Sequence, residues 1–554
     1  MSARWTGVER LDAAWRDGLF GPGMLFEMVV DDVCGVHLPV FARRPRSLSA
    51  VAAKGAADQG DRPYLIGPDR TVTFADLPTE AGRVAAALAT HHGIGPGSRV
   101  GLAGAVSIEH VLTVWGLLAA GAVAATLNPA WTTTELTAAA GVVDPELLVV
   151  DDDVAHRLAA EGALETPIAT FRELAASVDP TTVPGPPHVP DEDEAFAVIF
   201  TSGTTGTPKG ATLSHRNAIQ FLLAAAATSA AHHIIHEIPT SKGGAPAVIA
   251  SAPLFHVSGL LGQLLTAASW GSTLVVAPPG RWDATTHLAL TEQHRITSWS
   301  IVPTQLWRLV DHPDLDRFDL SSLEMVGGGG AAFPPELLRR TAERLPDVAT
   351  TVRVGYGMTE TAGTATLLQP PMTDDQLASV GPPVAGTEVQ ILDASGAPAA
   401  DGEIGEIAVR SAQVFLGYWG DDAATAAVLD ADRWYRTGDF GRLVDGYLYL
   451  ESRRRDLIIR GGENIYPIEI ENRLVEHPDV VDAAVVGLGH PTLGQEVRAV
   501  LVVRDGADLS VDEIRTWVGL TLARHKVPAV VDLVDELPRN ATGKVLKDRL
   551  IDPS

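Results

Sequence analysis

Ten consecutive residues, Thr201-Ser202-Gly203-Thr204-Thr205-Gly206-Thr207-Pro208-Lys209-Gly210, gather hydroxyls, accessible backbone N–H groups and one cation in a single loop. Such a set of groups suits a polyphosphate. Glycines at 203, 206 and 210 let the backbone wrap closely round an anion, the Thr and Ser hydroxyls donate to phosphate oxygens, and Lys209 adds charge. The ending Pro208-Lys209-Gly210 departs from the Gly-Lys-Ser/Thr of the common P-loop, so the expected phosphate loop is of another kind. A carboxylate follows at Glu360, in Gly355-Tyr356-Gly357-Met358-Thr359-Glu360. Were it to lie beside a nucleotide it would be repulsive unless it held a cation such as Mg²⁺.

These side chains need a scaffold. The apolar run Ala197-Val198-Ile199-Phe200 reads as a buried strand that delivers the loop to the surface. Upstream, 99–103 reads as strand, 108–118 as helix, 122–127 as strand, 135–140 as helix and 146–150 as strand. Alternation of this kind predicts an α/β fold with a mostly parallel sheet covered by helices. From about residue 455 a second unit begins: 470–475 and 511–522 read helical, 480–488, 497–503 and 527–534 as strands, predicting a small α+β lid. The expected boundaries are residues 1–60 as an N-terminal extension, 61–454 as the large domain and 455–554 as the lid. The extension reads either as packed irregular structure or as an interaction arm. The acidic run Asp191-Glu192-Asp193-Glu194 is expected to be a solvated lead-in to the loop strand.

Composition narrows the class. A chain of 554 residues exceeds what one hydrophobic core supports, and 46% hydrophobic with 20% charged residues is ordinary for a globular protein. A net charge of -27 argues against nucleic acid as a partner and makes local cations the markers of any polyanion site. Cys34 is the only cysteine, which excludes an intramolecular disulfide and a cysteine metal site. The N-terminus has no apolar signal-peptide core, and 111–127 is too short for a confident membrane span, so a cytoplasmic protein is expected. His232, His233 and His236 offer an i,i+4 pair but no third ligand, so they do not read as a zinc site.

Five stretches in order resemble the motifs of the adenylate-forming superfamily, in the branch of the acyl-CoA synthetases. They are Thr201–Gly210, Gly355–Glu360, Tyr435-Arg436-Thr437-Gly438-Asp439, the segment Arg453–Glu469, and Pro538-Arg539-Asn540-Ala541-Thr542-Gly543-Lys544. The resemblance covers about residues 60–550 and implies a large N-terminal domain, a mobile C-terminal lid and a cleft between them. It also implies roles. Thr201, Ser202, Gly203, Thr204, Thr205, Gly206 and Lys209 meet the phosphates of ATP, with Glu360 and Thr204 on Mg²⁺. Gly355, Tyr356, Gly357, Met358 and Thr359 on one side and Gly330, Ala331 and Ala332 on the other enclose the adenine; Asp439 and Arg453 hold the ribose. Lys544 is the catalytic lysine, Arg455 the hinge, and Gly461, Gly462 and Glu463 belong to the channel for the pantetheine arm of coenzyme A. His256, in Pro253-Leu254-Phe255-His256, either gates the acid pocket, touches the carboxylate, or is a satisfied core histidine.

The resemblance implies ATP-dependent ligation of a carboxylic acid to CoA through an acyl-AMP. Val257, Leu260, Val302, Gly328, Gly329, Val354 and Gly355, with His256, are the expected acid-pocket residues. They are apolar or small, which favours a fatty, aryl or bulky polycyclic acid, and the Gly327–Gly330 run is expected to leave depth for a long tail. Partners are then a small-molecule acid, ATP and CoA, with a homodimer allowed. Two alternatives stay open: a freestanding acyl-AMP ligase loading a carrier protein, and a non-catalytic acyl- or nucleotide-binding protein on the same fold.

Overall fold

The computed structural model describes residues 18–162, 164–201, 208–235, 244–329, 333–453, 456–460, 463–504, 506–507, 509–540 and 544–551. Among them, seven strands form one sheet, in spatial order Gly417–Tyr418, Lys209–Ser214, Ala195–Thr201, Val123–Thr126, Arg99–Ala103, Leu147–Val150 and Ile168–Thr170. The five strands from Ala195–Thr201 onward are parallel, and Lys209–Ser214 turns back antiparallel as a hairpin partner. Parallel strands covered on both faces must be apolar along their length. Val123–Thr126 and Leu147–Val150 are accordingly buried at every position.

A second sheet of eight strands runs Gly363–Leu368, Arg353–Met358, Met325–Gly328, Ser298–Ser300, Ala247–Ile249, Thr273–Val275, Pro63–Ile66 and Thr71–Thr73. The main hydrophobic cluster joins both sheets through helices such as Leu77–His92 and Ile108–Ala120, with Trp115 and Trp299 each 1% exposed. The apolar stretch 111–127 is a buried helix running into a strand, as its Ala and Gly content suggests, and no described helix is long and apolar enough to cross a membrane. An antiparallel sheet of Thr387–Leu392, Gly405–Ser411, Tyr435–Val444 and Tyr447–Arg453 completes the larger part.

Beyond it, Ile458–Arg460, Glu463–Ile465, Val480–His490, Gly494–Val503 and Val530–Leu533 form a separate sheet, with helices Pro467–Val475 and Val511–Gly519. Its clusters, around Ile470, Val485 and Ile514 and around Ala484 and Leu537, draw on residues of this small unit alone.

The acidic run is a solvated lead-in at Asp191 and Glu194 only, which are exposed. Glu192 is 9% exposed and bonded by Arg44 at 2.7 Å, Arg46 at 2.8 Å and Arg216 at 2.8 Å, while Asp193 takes Arg216 at 2.7 Å. A buried carboxylate is tolerated where such partners offset its desolvation. Arg44 arrives from the antiparallel hairpin Met28–Val33/Val36–Phe41, which also packs Phe41 against the helix His215–Ile235. The described part of the extension is thus packed structure, tied by charge to the chain entering the phosphate-loop strand.

Candidate functional site

The hairpin between the strands Ala195–Thr201 and Lys209–Ser214 places the two ends of the phosphate loop side by side, with Thr201 and Lys209 as cross-strand partners. Ser202, Gly203, Thr204, Thr205 and Gly206 lie outside the described residues. Lys209 Nζ stands 4.9 Å from the centroid of the Tyr418 ring, a cation–π distance. The Tyr418 hydroxyl in turn donates to Glu360 Oε1 at 2.9 Å. One tyrosine therefore links the loop cation to the carboxylate. It is positioned by the edge strand Gly417–Tyr418, where Tyr418 pairs with Ala211. Burial, and then the Glu360 charge, push the Tyr418 phenol well above its usual range, so it remains a donor at every working pH.

Glu360 sits in the tight turn Thr359–Thr361 and is 7% exposed. Its carbonyl accepts from Phe415 N at 2.9 Å, and Thr361 Oγ1 accepts from Met358 N at 3.0 Å and donates to Gly363 O at 2.8 Å. Ala362 closes the turn at φ 49°, a left-handed conformation that costs a residue with a Cβ about 1–2 kcal/mol. The turn follows the strand Arg353–Met358, whose Gly357 cannot be replaced without rearrangement, since a Cβ there would lie 1.7 Å from Gly363 O. Tyr356 donates its hydroxyl to Asp439 Oδ2 at 3.0 Å, and both residues are 7% exposed. Asp439 N donates to Thr437 Oγ1 at 3.1 Å, and Asp439 lies directly opposite Arg453 across the antiparallel pair.

Gly355, Gly357, Met358, Thr359 and Glu360 line one cleft of about 2390 Å³ together with Thr201, Lys209, Tyr418 and Gly438. Lys544 lines the same cleft from the small unit. Its loop is closed by Asn540 N donating to Lys544 O at 2.9 Å and by Lys544 N donating to Asn540 Oδ1 at 2.9 Å, with Arg539 ion-paired to Asp482. The two units thus share the site, with Lys544 and the phosphate-loop cation Lys209 both lining the cleft.

His256, Val257, Val302, Gly328, Gly329 and Gly355 line the cleft as well, with Phe255 and Trp299. Leu260 and Val354 pack into the main core at 0% and 3% exposure. Burial pushes the His256 imidazole down to about 4, so it is neutral at neutral pH, its ring 4.5 Å from that of Phe255. The glycine run does not simply leave depth. A Cβ on Gly327 would meet Arg353 O at 3.3 Å, on Gly328 Ile301 O at 1.7 Å, and on Gly329 Gly355 O at 3.0 Å. The missing side chains let neighbouring backbones approach. Gly330, Ala331, Ala332, Arg455, Gly461 and Gly462 lie outside the described residues; Glu463 opens the strand Glu463–Ile465 opposite Arg460.

Residue reading alone missed Tyr418, Tyr435 and Arg353, all of which line the cleft. Tyr435 was visible as the first residue of its motif, and its hydroxyl donates to Met358 Sδ at 3.3 Å. Tyr418 had no local signal, because its partners are 58 positions away and further. Among the described residues no group of three His, Cys, Asp or Glu side chains is placed to hold a metal ion.

Residues 52–419 match the family described as AMP-binding enzyme, and residues 469–544 match the AMP-binding enzyme C-terminal domain. The chain belongs to the adenylate-forming AMP-binding enzymes. It falls in their acyl-CoA synthetase branch. It is 34% identical to a feruloyl-CoA synthase of an Amycolatopsis species over 86% of this chain and 92% of the relative. It is likewise 34% identical to the indoleacetate–CoA ligase of Aromatoleum aromaticum over 87% and 93%. In structure it resembles the o-succinylbenzoate CoA synthetase of Bacillus subtilis in complex with its acyl-adenylate, with a TM-score of 0.78, 29% identity, and 91% and 98% of the two chains covered.

Proposed function

We propose that this protein is an ATP-dependent acid–CoA ligase that activates a hydrophobic carboxylic acid, with aryl or bulky polycyclic acids favoured over simple ones. The observation that carries the reading is the convergence of Lys209, Glu360 and Lys544 on one cleft whose other walls include Phe255, Trp299 and Val302. Two similar proteins named for aryl acids, the feruloyl-CoA synthase and the indoleacetate–CoA ligase, support the aryl class.

In the first half-reaction the carboxylate oxygen attacks the α-phosphorus of ATP, the bond to the β-phosphate oxygen breaks, and pyrophosphate leaves. Two anions must meet, so preorganised cations and donors stabilise the charge that develops. Thr201 and Lys209 hold the terminal phosphates, Tyr356 and Asp439 orient the nucleoside, and Lys544 neutralises the oxygens at the α-phosphate and carboxylate. Glu360 is a hard oxygen donor suited to Mg²⁺, which typically takes one or two carboxylates together with substrate phosphates; the metal would supply charge neutralisation of ATP. In the second half-reaction the CoA thiol attacks the acyl carbon, the acyl–phosphate bond breaks, and AMP leaves with its electron pair while the thiol proton passes to solvent. Lys544 occupies the space the thiol needs, so the lid, residues 455–554, turns about Arg455 between the two steps.

Incubation with ATP, Mg²⁺ and a panel of fatty, aryl and polycyclic acids should give acid-dependent pyrophosphate release, and a thioester only when CoA is added. A clear preference for acetate or an amino acid, or adenylate formation with no transfer to CoA, would overturn this reading.

A further inference from the structure

One wall of the cleft carries a charge that adenylation does not use. Arg353 opens the strand Arg353–Met358 and lines the cleft, donating to Ser229 Oγ at 2.7 Å and to His233 Nε2 at 2.8 Å. Both acceptors are uncharged; a guanidinium cannot accept, so His233 receives the bond on a bare nitrogen. Among the described residues no carboxylate pairs with Arg353. Elsewhere in this chain Arg44 and Arg216 meet Glu192, whereas the buried Arg433 donates to the backbone carbonyls of Val414 and Phe415. A half-buried guanidinium that faces the cleft from beside neutral partners keeps further N–H donors for an acceptor held in the cleft.

Its place along the wall says what that acceptor is attached to. Alternate residues of a strand share a face, so Arg353 stands in line with Gly355 and Gly357, about 13 Å from the latter by Cα spacing, and the strand then runs on to Glu360. The helix packed beside the strand shows the same gradient. Phe221, Ala225, Ser229 and His233 lie at four-residue spacing on the helix His215–Ile235 and all line the cleft. Phe221 abuts Gly363 beside the Glu360 turn, and His233 abuts Arg353. From the phosphate end outward the trough is therefore apolar first and polar at its far end.

We propose that Arg353, supported by Ser229 and His233, is a specificity-determining residue that binds an oxygen acceptor, a carboxylate or a ring carbonyl, on the end of the acid remote from the reacting carboxyl. The substrate class is then a bifunctional hydrophobic acid. This rests on the ligase reading above and deepens it.

The test compares three matched acids of equal length in acid-dependent pyrophosphate release: one ending in an unsubstituted ring, one with a distal ketone and one with a distal carboxylate. The unaltered enzyme should favour at least one acceptor-bearing acid by about 100-fold or more in kcat/KM, since a site built to hydrogen-bond rejects an analogue that leaves it unpaired. Arg353→Met should lose about that factor, mostly in KM, while the plain acid changes by no more than roughly threefold. Which of the two acceptor-bearing acids is favoured separates carboxylate from carbonyl recognition. Equal turnover of all three acids by the unaltered enzyme overturns the distal anchor and leaves the ligase reading standing, and that arm needs no variant to fold. An equal loss on every acid in Arg353→Met overturns the anchor too. Absence of acid-dependent pyrophosphate release with every acid tried, CoA present, removes both.

Discussion

At the scale of single residues, the reading turns on charges held by neighbours that the sequence does not bring close. Tyr418 sits between Lys209 and Glu360, donating to one and offering its ring face to the other. Phenylalanine there would keep the ring and the cation–π contact while removing the hydroxyl that donates to Glu360 Oε1. Tyr418→Phe should therefore lower adenylation about tenfold, less than the 10²–10³-fold expected for Glu360→Gln or Lys209→Ala, which remove a preorganised charge-stabilising group. Pyrophosphate exchange at saturating acid measures all three. A Tyr418→Phe enzyme as slow as Glu360→Gln would mean the hydroxyl does more than hold the carboxylate.

Among elements, the lysine loop and the link before Ile458–Arg460 are the parts expected to separate the two half-reactions. Lys544 reaches the cleft from a small unit with its own core, so its position depends on where that whole unit sits. Lys544→Ala should lose acyl-AMP formation by about 10²-fold or more, the scale of one charge-stabilising donor, yet still convert supplied acyl-AMP and CoA into thioester. Arg455→Pro should behave in reverse, because a fixed φ obstructs the swing while leaving the starting orientation usable. Single-turnover assays of each step, on variants shown by thermal melting to be folded, decide the matter. Loss of both steps to the same degree in Lys544→Ala, or an undiminished thioester step in Arg455→Pro, would sink the moving lid.

For the molecule as a whole, the histidines buried in the large domain set an acid limit. Burial pushes His110, His215 and His287 down to about 4 from an ordinary 6.5. His215 Nδ1 accepts from Leu48 N at 3.2 Å and His287 Nδ1 accepts from Trp282 Nε1 at 3.3 Å, bonds that a second ring proton would abolish. Between pH 6.5 and 4 the unfolded chain binds these protons and the folded chain does not, so stability must fall as pH falls through that window. The melting temperature should drop on acidification from pH 6.5 to 4, and His215→Asn, which keeps an acceptor but cannot titrate, should flatten the slope. Relief of repulsion in a chain of net charge -27 acts in the opposite direction, so the difference in slope between the two proteins is the decisive quantity. Identical slopes would show that His215 ionises as freely folded as unfolded.

What the sequence determined alone were the features whose signal is local. Strand and helix alternation over 99–150 matches the strands Arg99–Ala103, Val123–Thr126 and Leu147–Val150 and the helices Ile108–Ala120 and Thr133–Val143, because periodicity is a property of neighbouring residues. Glycine-bearing motifs such as 355–360 were legible for the same reason, since backbone close to a ligand or another strand tolerates no side chain. Tertiary structure decided whatever depends on distant partners. The carboxylate of Glu192 looked solvated until three arginines from residues 44, 46 and 216 closed round it. The Gly327–Gly329 run looked like free space until the Ile301 backbone and the strand carrying Arg353 and Gly355 proved to close on it. Arg353 itself is an ordinary residue in the chain; only the packing of the helix His215–Ile235 against its strand gives it neutral partners and a face on the cleft. A charge acquires its meaning from its surroundings, and those surroundings are set by long-range contacts that no local pattern encodes.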